Sequence, residues 1–164
     1  DAKVQVDFNP EVVRSWRLIG YENRHLEDEE FRDDTVDAGE VGAGHSVTAL
    51  YELKFEQDAP ANGAVATVYV RYQDPDTGEV SEINRSIAVD EFVPTLEKAS
   101  ARFRLDAAVA EFAEILRESY WAREGSLSAV RELAAQVVTQ LPEDRDVVEF
   151  LYLVTKAEDL QKVK

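Results

Sequence analysis

The sequence predicts an α+β protein, in which an antiparallel β-sandwich-like N-terminal half is followed by about three C-terminal α-helices packed on it. Up to about Asp90, apolar residues alternate with polar ones, as they do in half-buried strands. After Pro94 they recur every three or four residues, as they do on helices with one apolar face. Strands and helices therefore occupy separate blocks, which indicates an antiparallel sheet instead of alternating βαβ units.

Five strands are predicted in the first block. They cover residues 4–8, 12–21, 45–55, 65–72 and 80–89. The third strand has the clearest alternation, because every second residue from Val47 to Phe55 is apolar. Turns that contain proline and glycine, residues 58–63 and 73–78, precede the last two strands, and the second turn is typical of a β-hairpin loop. A longer connection, residues 22–44, joins the second strand to the third.

Three helices are predicted in the second block. The first begins near Ser100, and its apolar stripe continues to Tyr120. The second has Ser126 in the position of an N-cap and is closed by Pro142. The third has an apolar stripe that starts at Val147. Each helix therefore has one face that must be covered by another element.

Composition sets the broad class. A chain of 164 residues with 45% hydrophobic and 32% charged residues is typical of one globular domain. No apolar run approaches the roughly 18 residues that a membrane helix needs, so we expect no direct membrane insertion by this segment. The absence of cysteine excludes disulfides, zinc sites with thiolate ligands and cysteine nucleophiles. The sequence also lacks methionine, and we expect it to be a piece excised from a longer protein.

The net charge of −16 is concentrated in the first block. Residues 1–95 carry 21 acidic and 8 basic residues, whereas residues 96–164 carry 13 and 10. An acidic surface repels phosphate backbones, so we expect no nucleic-acid partner. Charge and periodicity thus change at the same place, yet we expect the two blocks to form one cooperative unit, because neither is stable with its apolar face in water.

One stretch, from Glu27 to Glu40, contains eight acidic residues in fourteen. Calcium binds six to eight oxygens, so this density could supply a site. The candidate ligands are Asp33, Asp34, Asp37 and Glu40. However, the spacing fits no EF-hand, and Arg32 interrupts the run. The prediction is a solvated acidic loop without a metal ligand, and a calcium-stabilised adhesion module is the alternative.

His45 follows a stretch with three glycines, residues 39–44, and is one of two histidines. The glycines are typical of a bulge or a sharp bend before a strand, and His45 is interpreted as a structural residue at that bend. A hydrolase centred on His45 is a further alternative. No G-x-S-x-G motif is present, so we expect no catalytic residue, no cofactor and no enzyme activity.

Tyr120 and Trp121 are adjacent at the end of the first predicted helix. Large aromatic side chains in such a position either close the core against the sheet or form an exposed patch for another domain. The sequence leaves both alternatives open. We keep Tyr120 and Trp121 as the candidate interaction surface.

Four segments carry a resemblance to a known family. They are FNP at residues 8–10, WRLIGYENR at 16–24, VDAGEVGAGHSVTALYE at 36–52 and FRLDAAVAEFAEILRES at 103–119. Together they resemble the region that follows the von Willebrand factor type A (VWA) domain in a group of bacterial proteins. That region is a domain family of unknown function.

The resemblance implies a multidomain bacterial protein of the cell envelope, exported or membrane-anchored, with the VWA domain upstream of this chain. The family's metal-binding motif, D-x-S-x-S, belongs to the VWA domain and does not occur here, so no metal ligand is implied for any residue of this chain. The leading hypothesis is a non-catalytic accessory module. It would support the upstream VWA domain and offer a surface to an unknown protein partner. Weak self-association is also expected.

Overall fold

The computed structural model describes residues 2–20, 30–36, 39, 41–42 and 44–162. The chain divides into two compact units, Asp1–Phe92 and Val93–Lys164. Antiparallel strands in two sheets form the first unit and three α-helices form the second, so the predicted fold class is confirmed. The packing of the helices on the strands stays a prediction.

Five strands occur in the described part of the first unit. They are β1 (Ala2–Phe8), β2 (Val13–Ile19), β3 (Leu50–Phe55), β4 (Ala64–Gln73) and β5 (Val80–Ala88). One sheet has the order β1-β4-β5, and β2 and β3 form a separate pair. All three pairings are antiparallel. The β4–β5 connection is the predicted hairpin, and Gly78 adopts the left-handed conformation there, with φ of +72°.

The third strand begins later than predicted. It starts at Leu50 and not at His45, and Val47 is exposed. The third strand cannot begin earlier because its partner strand, β2, ends at Ile19. Leu50 pairs with Ile19, and the next residue, Gly20, turns the chain away with φ of +76°. The described structure therefore gives residues 45–49 no strand to pair with, although their alternation continues.

The helices are α1 (Ala101–Leu116), α2 (Leu127–Gln140) and α3 (Arg145–Gln161). Ser100 and Ser126 cap the first two, because each hydroxyl accepts a hydrogen bond from the backbone N–H three residues later. The first helix ends before Tyr120, contrary to the prediction. Glu118 has φ of +55°, a conformation that interrupts the helix, and Tyr120 lies in a short 3₁₀ turn instead.

Each unit has its own apolar core. In the first unit, Val12, Val13 and Val65 are buried and contact half-buried side chains, which include those of Phe8 and Leu53. In the second, a residue from each helix forms the centre. These are Ala108, Val130 and Val154. The rings of Phe112 and Phe150 extend that core from α1 to α3, with 5.7 Å between their centroids.

Candidate interaction surfaces

The polar face of the three-stranded sheet holds the end of the acidic segment. The ammonium group of Lys3 in β1 is buried and donates hydrogen bonds to two backbone carbonyl oxygens, those of Glu30, at 3.1 Å, and Asp33. Phe31 in the same segment is buried as well. Residues 30–36 are therefore anchored, although most of their side chains are exposed.

Two ion pairs connect the same segment to the neighbouring strands. The register places Lys3, Arg71 and Glu82 side by side across β1, β4 and β5. Arg71 pairs with Asp34 at 2.8 Å, and Arg32 pairs with Glu82 at 3.0 Å. The hydrogen bond from Arg32 holds the pKa of Glu82 below its ordinary value. Because each pair has one exposed partner, Asp34 or Arg32, the pairs contribute more to position than to stability.

The calcium candidates have partners within the protein. The Asp33 carboxylate accepts hydrogen bonds from the hydroxyl and the backbone N–H of Thr35, at 2.7 and 2.9 Å, and these bonds lower the pKa of Asp33. The Asp34 carboxylate accepts from Arg71. Asp37 and Glu40 lie outside the described residues. Among those described, no three or more histidine or acidic side chains are grouped in a way that could hold a metal ion.

His45 lies in an exposed loop before β3. Its backbone N–H donates to the carbonyl oxygen of Gly42 at 3.0 Å, and Gly44 has φ of +79°. The predicted bend is therefore present, and a main-chain hydrogen bond closes it. The other histidine, His25, lies outside the described residues.

The opposite face of the three-stranded sheet is mainly apolar, although Ser81, paired with Tyr72, and Arg85, paired with Val68, also lie on it. We call the apolar part of this face that β2 and β3 do not cover the open sheet face; it consists of Val4, Val6, Val68, Val70, Tyr72 and Ile83. Val4 and Ile83 flank Val70 across the sheet and are 59% and 57% exposed. At the other end of this face, the ring of Phe8 lies 5.2 Å from that of Trp16 and 5.3 Å from that of Tyr51. Strands β2 and β3 therefore cover one end only.

The helical unit presents an aromatic pair, Tyr120 and Trp121, whose side chains are 64% and 58% exposed. Their rings meet edge to face at 5.3 Å, and the guanidinium of Arg123 lies 4.3 Å from the centroid of Tyr120. The hydroxyl of Ser119 accepts from the backbone N–H of Trp121 and donates to the buried carboxylate of Glu114. The helical unit by itself leaves this pair exposed, and the two alternatives for the pair stay predictions.

Sequence reasoning missed the open sheet face. Alternation in β1, β4 and β5 does indicate that one face is apolar. It gives no information on which end of that face a second sheet covers. The lengths of the strands would have shown that β2 and β3 cannot cover the whole face, because they have 7 and 6 residues and β4 has 10.

No helix in the described part of the chain is long and apolar enough to cross a membrane. The chain matches the family model described as "Uncharacterized protein YfbK, C-terminal" over residues 1–160. The uncharacterized protein YfbK of Escherichia coli (strain K12) is 30% identical to this chain in an alignment of 180 residues. The alignment covers 99% of this chain and 30% of the relative. The chain thus spans less than a third of that relative's length. No solved structure matches. The chain belongs to the YfbK C-terminal family.

Proposed function

We propose that this chain is a non-catalytic accessory module of a longer bacterial protein, in which it follows a VWA domain and binds protein through Tyr120 and Trp121. The observation that carries the proposal is the exposure of this aromatic pair. The family description refers to a C-terminal region, and the relative is more than three times as long as the chain, which supports a place beside other domains. The cell envelope as the location follows from the resemblance to VWA proteins.

The aromatic pair has the properties of a binding hot spot. Tyrosine and tryptophan contribute most of the energy in many interfaces, because their large rigid rings lose little entropy on binding. Ser119 and Glu114 hold the short turn in place. Arg123, next to Tyr120, adds a third residue type that is enriched at interfaces. The pair would therefore bind as a pre-organised surface.

The pKa shifts of the described carboxylates give no support to a carboxyl general acid. Among the described carboxylates with a shifted pKa, those of Asp33, Glu82, Asp144 and Glu158 all have it lowered by hydrogen bonds from neighbouring groups. A general acid requires the opposite, a raised pKa. Burial in the aromatic cluster raises the pKa of Tyr51, a change that needs no catalytic explanation.

The test uses the upstream domain of the same protein, expressed separately. A Trp16→Phe variant leaves Trp121 as its single tryptophan. We expect its emission to shift to shorter wavelength when the upstream domain is added. Calorimetry should show that Trp121→Ser weakens binding by about 30-fold, the effect of losing a hot spot worth about 2 kcal/mol.

The matched control is Tyr152→Ser on α3, which removes another exposed aromatic side chain. It should leave the affinity unchanged. An emission spectrum that does not respond to the upstream domain, or equal losses in Trp121→Ser and Tyr152→Ser, would contradict the proposed surface. Circular dichroism of each variant checks that the helices are intact.

A further inference from the structure

Arg104, near the start of α1, is a buried charge that lacks a hydrogen-bond partner. The residue is 5% exposed, and it lies one turn before Ala108, which belongs to the core of the helical unit. Residues four apart lie on one face of a helix, so Arg104 is on the core side of α1. Its Nε atom is fully buried, and no described residue accepts a hydrogen bond from it. A buried guanidinium without an acceptor is unfavourable, because nothing replaces the water that it has lost.

The guanidinium group lies toward the N-terminal end of α1. Side chains of a helix lean toward its N-terminus, and Arg104 is the fourth residue of α1, so its long side chain extends back toward the N-cap, Ser100. The pKa of Glu97, just before the helix, supports this position. Hydrogen bonds from Thr95 and from a backbone N–H lower that pKa, and the positive charge of Arg104 lowers it further.

The same end of α1 has other donors without acceptors. The backbone N–H groups of Ala101 and Arg102 donate to no described residue, because Ser100 accepts from the N–H of Phe103 instead. The first turn contains no acidic residue. Unpaired N–H groups and the positive end of the helix dipole favour an anion at such a position. A buried arginine that extends toward them supplies a further donor of the same kind.

The nearby acids do not bond to Arg104. The Asp144 carboxylate accepts from the N–H groups of Asp146 and Val147, and it pairs with Arg102 at 2.6 Å. Glu97 accepts from Thr95. In charge, the two arginines offset Asp144 and Glu97, so the helix end itself leaves a positive potential.

We propose that a tetrahedral oxyanion of the phosphate class binds at the N-terminus of α1, with Arg104 and the backbone N–H groups of Ala101 and Arg102 as donors. The site is separate from Tyr120 and Trp121, and nothing in the proposed function requires it. A phosphate has enough oxygens to accept from a guanidinium and two backbone groups at once, whereas a carboxylate has only two. Binding would give the buried charge the acceptor that it lacks.

The test is an NMR titration of the 164-residue chain with sodium phosphate, in which chloride is exchanged to keep the ionic strength constant. We expect saturable shifts of the amide resonances of Ala101 and Arg102 and of the Nε–H resonance of Arg104. Arg104→Lys keeps the charge and loses the planar set of donors, so the affinity should fall about tenfold. The matched control is Arg131→Lys on α2, where the arginine pairs with Glu158. It should leave the affinity unchanged.

A second variant tests the backbone donors and keeps Arg104. Proline is tolerated at the first position of a helix, and Ser100 already has the extended conformation that a following proline requires, so Ala101→Pro should fold and lose one donor. It should also weaken phosphate binding. Shifts that do not saturate, equal losses in Arg104→Lys and Arg131→Lys, or acetate that binds as well as phosphate would each overturn the proposal. Circular dichroism checks that the helices of each variant are intact.

Discussion

Replacing Lys3 by methionine should detach the acidic segment from the sheet. Lys3 is 6% exposed, and its ammonium group is the donor for two carbonyl oxygens, those of Glu30 and Asp33. Methionine keeps the apolar stem of the side chain and removes only the charged donor. The substitution therefore tests the hydrogen bonds and leaves the packing of the stem in place.

The expected cost follows from the two hydrogen bonds. A hydrogen bond to a charged group contributes about 1.5–3 kcal/mol, but Asp33 is exposed and water can replace the lysine at its carbonyl oxygen. We therefore expect a loss of about 2 kcal/mol. If the segment detaches fully, Phe31 becomes exposed and adds about 1.5–3 kcal/mol. A loss of 2 kcal/mol lowers the Tm of a unit of this size by roughly 10 °C.

Urea unfolding followed by circular dichroism measures the free energy, and hydrogen exchange of residues 30–36 reports the detachment. The matched control is Lys54→Met, which changes an exposed lysine in β3 and should alter the free energy of unfolding by less than about 0.5 kcal/mol. If Lys3→Met resembles this control, or if hydrogen exchange in the segment is unchanged, Lys3 is not the anchor.

Three other outcomes are expected. Val154→Ala empties a fully buried site in the helical core and should cost about 2–3 kcal/mol in chemical unfolding, whereas Leu160→Ala, at an exposed position on the same helix, should cost little. A hydrogen bond from Arg32 lowers the pKa of Glu82. The ionised Glu82 therefore stabilises the protein above the ordinary glutamate pKa, and this stabilisation is lost as the pH falls through the lowered pKa. Glu82→Gln should therefore reduce the acid dependence of Tm. Removing divalent ions with a chelator should change the Tm by no more than about 2 °C. The calcium alternative would be favoured by a larger drop in Tm that added calcium reverses and that is absent in the Asp33→Asn, Asp34→Asn double variant.

The sequence was most informative where local signals agree with each other. The turn at residues 73–78 specifies the β4–β5 hairpin, and Ser100 and Ser126 mark two helix starts. Proline, glycine and capping serines act within a few residues, so no knowledge of the rest of the chain is needed. The order of strands and helices could therefore be predicted from the sequence alone.

Element ends depend on partners that are distant in sequence. The apolar alternation continues upstream of Leu50, but a strand also needs a neighbour to pair with, and β2 stops at Ile19. Similarly, the apolar stripe of α1 continues to Tyr120, while Glu118 adopts a left-handed conformation that ends the helix. Periodicity alone therefore cannot predict where β3 begins or where α1 ends.

The candidate site shows the same limit. Composition identified Asp33 and Asp34 as possible ligands, because acidic residues are dense in that segment. The Asp34 carboxylate pairs with Arg71, and Lys3 holds the backbone of Asp33; the β1–β4 register brings Lys3 and Arg71 together from distant parts of the sequence. Aromatic exposure at Trp121 likewise depends on how the short turn is oriented, and not on residue type.

Salt should strengthen contact between two copies of this acidic chain. Charges are screened over about 8 Å at physiological salt and over shorter distances above it. Screening weakens the repulsion between two copies of this acidic chain, so we expect weak self-association that increases with salt in sedimentation experiments. A chain that stays monomeric at low and at high salt would show that charge repulsion is not what limits its self-association.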